Sequence, residues 1–402
     1  MRVMYFGFEG FDNPNGTNHL AISLIDEMLK NDINVYLLNS HTKGVDPDIP
    51  NVLVDRKGFT YRIINRKNVN KRNFIQRYFD GMSYAFKAMK YWRKEEVDVI
   101  LYQSTPTSIF SIILLKLFKR KPIIYSLYDV FPENAKAVNA INKYIYYILK
   151  YIQKIVYACC NKIIVISEDM KSQMIDLGIN KDKLDIVRLW YDESQINSEN
   201  HENMFLKLNP NINTNKFILQ YAGNIGFTFD YNMILYLAND LKGYKNIEFH
   251  IIGDGAFLND FKIKAKKMNL NNIVFFDWQS SSIIYDVYKS CSIECVPLAN
   301  EVIKNAYPSK TSLLMACGKT FICTTEKDSF FYEEMNSNKV AICIDKNDKE
   351  SVIKAILDLY ENRDKLEKYN LNAKKYSEEL LSKSYNCKRF IKIIKNIIGE
   401  DI

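Results

Sequence analysis

The sequence predicts an α/β protein of two Rossmann-like, doubly wound domains facing each other across a cleft. Three observations carry this. Short β-rich apolar runs alternate with longer helical patterns from end to end, which is how parallel α/β units read in a sequence. The alternation stops once, in a stretch rich in Asn, Ser and Glu, and then restarts. The 402 residues are about two to three times the usual single-domain length, enough to bury two cores.

The first series offers strands at residues 3–6, 34–38, 97–102, 123–127 and 162–166, with helices at 18–30 and 109–118. The second offers strands at 217–222, 247–252, 273–276, 292–296, 320–324 and 341–344, most followed by a helix. The stretch 192–216, with Pro210, has no usable periodicity and reads as the linker. The expected domains are therefore 1–195 and 205–384, with a C-terminal helix at about 385–402 packing back on the first. Ligands of open α/β sheets sit beyond the carboxyl ends of the strands, so the loops there should line the cleft.

Composition narrows the class. Apolar residues make up 47% and charged residues 25%, with 14 Gly and 9 Pro, which excludes collagen, low-complexity disorder and disulfide miniproteins. A net charge of +8 over this length does not by itself indicate nucleic-acid binding. The charge is concentrated, however: residues 55–94 hold 12 basic side chains against 2 acidic ones, interleaved with aromatics. Such a segment suits docking on an anionic bilayer, with Arg66, Lys67, Lys71 and Arg72 as its contacts; nucleic-acid binding would use similar residues, and a solvated helical face is the plain alternative.

Cys159, Cys160, Cys291, Cys295, Cys317, Cys323, Cys343 and Cys387 lie mostly in apolar runs without paired CxxC spacing, and read as reduced core residues, so no metal is expected. The first residues read as a strand and no run of 18 apolar residues exists, so a cytoplasmic protein with at most peripheral membrane contact is expected.

Three turns could carry chemistry. Tyr221-Ala222-Gly223-Asn224-Ile225-Gly226 follows the first strand of the second series, where glycines let backbone amides approach a diphosphate. Ile252-Gly253-Asp254-Gly255 follows the next strand. Tyr307-Pro308-Ser309-Lys310 opens a helix that runs to Cys317-Gly318, and Lys310 in its first turn could neutralise a leaving phosphate.

In their order and spacing these elements resemble the retaining nucleotide-sugar glycosyltransferases of family 4, with the GT-B architecture, closest to the branch that builds bacterial surface polysaccharides such as capsule and O-antigen. Tyr128-Asp129-Val130-Phe131-Pro132-Glu133 resembles that branch's acidic D-x-aromatic-P-E segment, and Leu189-Trp190-Tyr191-Asp192 its N-W-x-D segment. The likeness spans essentially the whole chain.

The resemblance implies a hexosyl or N-acetylhexosaminyl transfer from a nucleotide-sugar, UDP-linked, to a lipid-linked or glycan acceptor, without metal or other cofactor. Asp129, Glu133 and Lys310 would be catalytic. Gly223, Asn224, Gly226, Gly253, Trp278, Gln279, Ser309, Lys310, Arg188 and Ser329 would hold the donor, and Gly16 and His19 would lie on the acceptor side. The expected partners are the donor, the acceptor and an anionic membrane on the inner face of the plasma membrane, with no nucleic acid.

Three departures stand out. Leu313 occupies the position of the usual ribose-binding Glu, Phe227-Thr228-Phe229-Asp230 lacks the usual Arg and Lys after the glycine turn, and Tyr128 replaces the acceptor-side His. They leave open a non-catalytic partner subunit. A nucleotide-sugar epimerase shares the frame but needs neither the acidic segment nor the basic patch. A nicotinamide dehydrogenase is disfavoured because no G-x-G-x-x-G follows residues 3–6.

Overall fold

The computed structural model describes residues 1–7, 11, 18–42, 49–66, 74–196 and 201–399. The chain divides into two compact units, Met1–Leu189 with Lys383–Ile402, and Trp190–Ser382.

The first unit is built on a seven-stranded sheet of β1 (Arg2–Gly7), β2 (Asn34–Thr42), β3 (Phe59–Arg66), β4 (Val99–Gln103), β5 (Ile123–Ser126), β6 (Lys162–Val165) and β7 (Leu184–Ile186). All neighbours pair in parallel, in the order β3-β2-β1-β4-β5-β6-β7. The order reverses between β1 and β4, so this sheet has its switch point there. The central strands are covered on both faces and are accordingly continuous apolar runs. The helix Asn18–Lys30 buries Leu20, Ala21, Leu24, Ile25 and Met28 at helical spacing. The last helix, Lys383–Ile398, belongs to this unit and packs on Asn18–Lys30, with Cys387, Phe390, Ile391 and Ile394 turned inward.

The basic segment 55–94 is not one surface. It forms the edge strand β3 and the helix Phe74–Trp92, whose Tyr84 and Trp92 are buried. Part of its charge is neutralised inside the unit: Arg56 pairs with Asp26 and Arg66 with Asp80, each at 2.6 Å. Arg66 is thus not a free membrane contact, and Lys67, Lys71 and Arg72 lie outside the described residues. Tyr61, Phe79, Phe86 and Tyr91 are exposed.

The second unit carries six parallel strands, β8 (Phe217–Ala222), β9 (Ile247–Ile252), β10 (Ile273–Phe276), β11 (Ile293–Pro297), β12 (Phe321–Thr325) and β13 (Ile342–Asp345), in the order β10-β9-β8-β11-β12-β13. Its switch point lies between β8 and β11. One apolar cluster, with Phe217, Phe249 and Phe261, is joined by a second, with Leu314, Phe321 and Phe331.

The stretch expected as a linker is folded into this unit. The helix Met204–Leu208 places Phe205 fully inside the second cluster, its ring 5.5 Å from that of Phe276 and steeply tilted to it. The unit therefore begins at Trp190, ahead of the 195–205 interval read from composition. Its two ends meet: the Tyr191 amide donates to the Leu381 carbonyl at 3.0 Å, and Tyr191 bridges to Ser382. Among the described residues no helix is long and apolar enough to cross a membrane.

If residues 204–208 are core and not tether, Phe205→Ala should destabilise the second unit by about 3–5 kcal/mol, the usual cost of emptying a buried aromatic site. Denaturant unfolding followed by a probe in that unit checks this, and a cost near zero would return the segment to linker status.

Candidate functional site

At the switch point of the second sheet β8 and β11 are neighbours, with Glu294 in register with Gln220. Glu294 is fully buried in the middle of an otherwise apolar strand. A carboxylate there is costly unless every oxygen is held. Its Oε1 accepts the Ala222 amide at 2.8 Å and its Oε2 accepts the Gln220 side-chain amide at 3.2 Å. Gln220 is in turn fixed, donating to the Val287 carbonyl and accepting from the Ser290 hydroxyl. Glu294 thus anchors the last residue of β8, the one from which the glycine turn departs.

The counter-charge is Lys310, in the first turn of the helix Lys310–Ala316. Its Nζ stands 3.6 Å from Glu294 Oε1 and 3.4 Å from the centre of the Tyr221 ring. Among the described residues this buried ammonium has no hydrogen-bond partner. It abuts the turn: a Cβ on Gly223 would lie 3.2 Å from Nζ. Burial pushes the Lys310 ammonium pKa down and the Glu294 carboxyl pKa up, and their mutual attraction works against both displacements. Glu294 escapes a motif search because its meaning depends on its partner in space. The only sequence signal is an acid interrupting an apolar strand.

The two glycine turns are laced together. The Gly223 amide donates to the Ile252 carbonyl at 2.9 Å and the Ile225 amide to the Asp254 carbonyl at 2.8 Å, while the Phe257 amide returns to the Ile225 carbonyl at 3.0 Å. A Cβ on Gly253 would fall 2.0 Å from the Gly223 carbonyl oxygen, and one on Gly255 2.4 Å from that of Ile225. Gly253 has φ +143°, so both contact and conformation demand glycine there. The Gly223 amide is therefore engaged within the protein, and Asn224 and Gly226 are the turn's candidate phosphate donors. The Tyr221 hydroxyl donates to the Asn224 carbonyl at 2.7 Å, fixing the turn further.

The other expected donor residues separate into open and engaged ones. Trp278 is 61% exposed just past β10, a free aromatic face for a base. Gln279 donates its side-chain amide to the Asp277 carbonyl at 2.8 Å. Ser309 is exposed beside Lys310 and its side chain makes no cap bond. Ser329 is buried, accepts the Tyr332 amide at 3.1 Å and donates to the Glu326 carbonyl at 2.7 Å, so its hydroxyl caps a helix and is not open to a ligand. Leu313 packs partly buried against the apolar cluster around Leu314.

Asp129, Glu133, His19 and Arg188 belong to the first unit. Asp129 lies just beyond β5 with its side chain reaching the surface, while the protein packed around the carboxyl desolvates it and raises its pKa to about 6. The helix Glu133–Ala137 has Pro132 at its cap with no side-chain bond, so Asp129 is not capping it. Glu133 points elsewhere: it is buried, accepts the Tyr146 hydroxyl at 3.2 Å, and burial raises its pKa. The two acids are therefore not a matched pair, and Glu133 ties its helix to Lys143–Cys159. His19 is exposed on the first turn of Asn18–Lys30, Arg188 is half-buried, and Gly16 lies outside the described residues. No group of three or more His, Cys, Asp or Glu able to hold a metal occurs among the described residues.

Comparison with known proteins follows this division. The family described as Glycosyltransferase Family 4 matches residues 14–195, and that described as Glycosyl transferases group 1 matches residues 205–376. No curated protein matches significantly. Among solved structures the chain is similar to the Anabaena protein HepE in complex with UDP-glucose, at TM-score 0.74 and 12% identity over 98% of this chain and 100% of that one. It is similar to sucrose-phosphate synthase from Thermosynechococcus elongatus, at 0.76 and 11% over 100% of both. A Listeria monocytogenes protein named as a UDP-N-acetylglucosamine 2-epimerase follows, at 0.63 and 12% over 100% of this chain and 97% of that one. At these identities the likeness is one of fold.

The buried pair makes a stability prediction of its own. Glu294→Ala should cost about 3–5 kcal/mol, because it strands the Lys310 ammonium in a site with no counter-charge. Combining Glu294→Leu with Lys310→Met should recover most of that loss. Unfolding free energies of the singles and the double check this, and strictly additive losses would mean the two groups do not interact.

Proposed function

Because the chain belongs to the GT-B glycosyltransferases, a family 4 segment followed by a group 1 segment, and such enzymes take a nucleotide-sugar donor, we propose a retaining transfer from a UDP-linked hexose or N-acetylhexosamine to a lipid-linked or glycan acceptor. The single observation that carries the reading is the Lys310 ammonium, buried beside Gly223 with a counter-charge and no hydrogen-bond partner among the described residues. A cation held dry and already in place is what a departing diphosphate needs as its charge develops. Asn224 and Gly226 add backbone amides, and Trp278 offers a face for the uracil. This arrangement needs no metal. The structure bound to UDP-glucose supports the choice of nucleotide at the level of fold.

On the acceptor side we assign the exposed Asp129 to orienting or deprotonating the incoming hydroxyl, with Glu133 holding the local helix. The leaving diphosphate can itself take up that proton on the same face. We place the enzyme in surface-polysaccharide synthesis on the inner face of the plasma membrane, a setting that suits the exposed aromatic and basic residues of the first unit.

Incubation with a panel of UDP-sugars, reading donor-dependent thermal shift and sugar transfer, tests the reading. Lys310→Ala should lower kcat by about 10²-fold or more per folded molecule, and because it leaves Glu294 buried without its counter-charge it should also lower stability by about 3–5 kcal/mol, so the rate is read on the folded fraction. Unchanged kcat at saturating donor would remove Lys310 from the chemistry, and conversion of the donor sugar without any acceptor would identify an epimerase.

Asp129 gives a pH prediction whose sign follows from its raised pKa. A carboxyl with pKa about 6 is protonated below that pH and useless as a base, so kcat/KM should fall as pH drops through about 6. Asp129→Asn should lose most of the transfer, keep donor binding, and lack that acid limb in its residual rate. A variant with full activity and the same limb would assign the limb to another group.

A further inference from the structure

The helix Lys143–Cys159 has two apolar faces and only one of them is used. Tyr146, Leu149, Gln153, Val156 and Tyr157 are buried against the first unit. On the opposite side Tyr144, Tyr147, Ile148 and Tyr151 stand 81%, 56%, 62% and 68% exposed. Their spacing of i, i+3, i+4 and i+7 makes them one continuous stripe along the helix. Large side chains grouped this way on a surface mark an interaction site, where scattered ones would need no explanation.

The charge around the stripe says what it meets. From Asn134 to Lys162 the sequence contains Lys136, Lys143, Lys150, Lys154 and Lys162 and not one Asp or Glu. Lys143 and Lys154 are exposed at the stripe's borders. Lys136, on the preceding helix Glu133–Ala137, and Lys150 stand over the buried Tyr146 ring, 4.7 and 5.6 Å from its centre, and Lys162 pairs with Asp185, so Lys143 and Lys154 are the lysines beside the stripe itself. Tyrosine rings suit the headgroup layer, where one edge is apolar and the hydroxyl stays wet, and lysines beside them meet lipid phosphates. The segment holds no acid to pair with a partner's cations, so its charge is of one sign throughout, as an anionic lipid surface requires.

We propose that the exposed face of Lys143–Cys159 docks on an anionic lipid bilayer, with Tyr144, Tyr147, Ile148 and Tyr151 entering the interface and the flanking lysines pairing with phosphates. This deepens the membrane part of the function proposed above and rests on that part alone, since sugar transfer itself does not require it. It also moves the docking surface away from residues 55–94, where Arg56 and Arg66 are already paired within the protein.

The test uses the full-length chain and vesicle flotation with phosphatidylcholine alone or mixed with phosphatidylglycerol. The wild type should float only with the mixed vesicles. Replacing Tyr144, Tyr147, Ile148 and Tyr151 together by Ser should weaken that binding by about tenfold or more, and Lys143→Gln with Lys154→Gln should weaken it about as much, by more at low salt than at high. Phe79→Ser with Phe86→Ser should leave it unchanged. All variants replace exposed side chains, and retained donor-dependent thermal shift reports that the transferase reading survives whatever the vesicles show. Failure of the wild type to bind mixed vesicles would overturn the proposal, as would full binding by the four-Ser variant or loss of binding in the Phe79/Phe86 variant alone. A wild type that sediments as a dimer, with the four-Ser variant monomeric, would assign the stripe to a second copy of the chain and overturn it equally.

Discussion

The second unit is organised around one ion pair that has almost no access to water. Glu294 is fully buried in β11, and Lys310 is the only cation paired with it among the described residues. Neither charge would be tolerable alone, and together they constrain four elements at once. β11 must lie beside β8 so that the carboxylate can receive the Ala222 amide. The helix beginning at Lys310 must start where its side chain can reach back under the turn. The Tyr221 ring must lie flat beneath the ammonium, and Gly223 must be bare so that the ammonium can approach it. Such a pair adds little net stability compared with an apolar filling. Its retention makes sense as placement of charge.

On the proposed function, that placement stands in for what the loop lacks. After the glycine turn this chain has Phe227-Thr228-Phe229, where the resembling family commonly has cations. Phe229 stacks on Tyr221 with ring centres 3.7 Å apart, and Phe227 leans edge-on toward Phe257. The aromatic residues brace the turn from outside while the positive charge comes from beneath it. Because the turn is also laced to Gly253–Gly255 through backbone hydrogen bonds, its shape is set without a ligand, and little ordering remains to be done on binding.

Much of this architecture was legible in the sequence. The six strands of the second unit were readable because they are short, mostly buried and largely apolar runs between turn residues, broken only at a few positions such as Gln220, Glu248, His250 and Glu294. β3 was not, since an edge strand reading Phe-Thr-Tyr-Arg-Ile-Ile-Asn-Arg is mostly solvated and looks like a basic loop. β7 is three residues long, below what periodicity can detect. The glycine turns and Lys310 were readable from local spacing. Glu294, the Arg56–Asp26 and Arg66–Asp80 pairs and the engaged hydroxyl of Ser329 were not, because each depends on a partner remote in sequence or on a cap that consumes the group. Phe205 was overlooked for the opposite reason: a single aromatic in a polar stretch gives no period, yet one buried ring is enough to fix the stretch to a core.

The course of the chain carries a consequence for how the molecule is made. It leaves the first unit at Leu189, completes the whole second unit, and only then returns with Lys383–Ile398 to cover the helix Asn18–Lys30. On a ribosome the first sheet is therefore finished long before its last covering helix exists, and an apolar face of the nascent chain stays open throughout synthesis of the second unit. The second unit suffers no such delay, because its entry and exit meet in a hydrogen bond between Tyr191 and Leu381 and its core draws only on residues between them. The domain synthesised later is thus the first that can close completely, and the nascent first unit is the natural point of chaperone dependence.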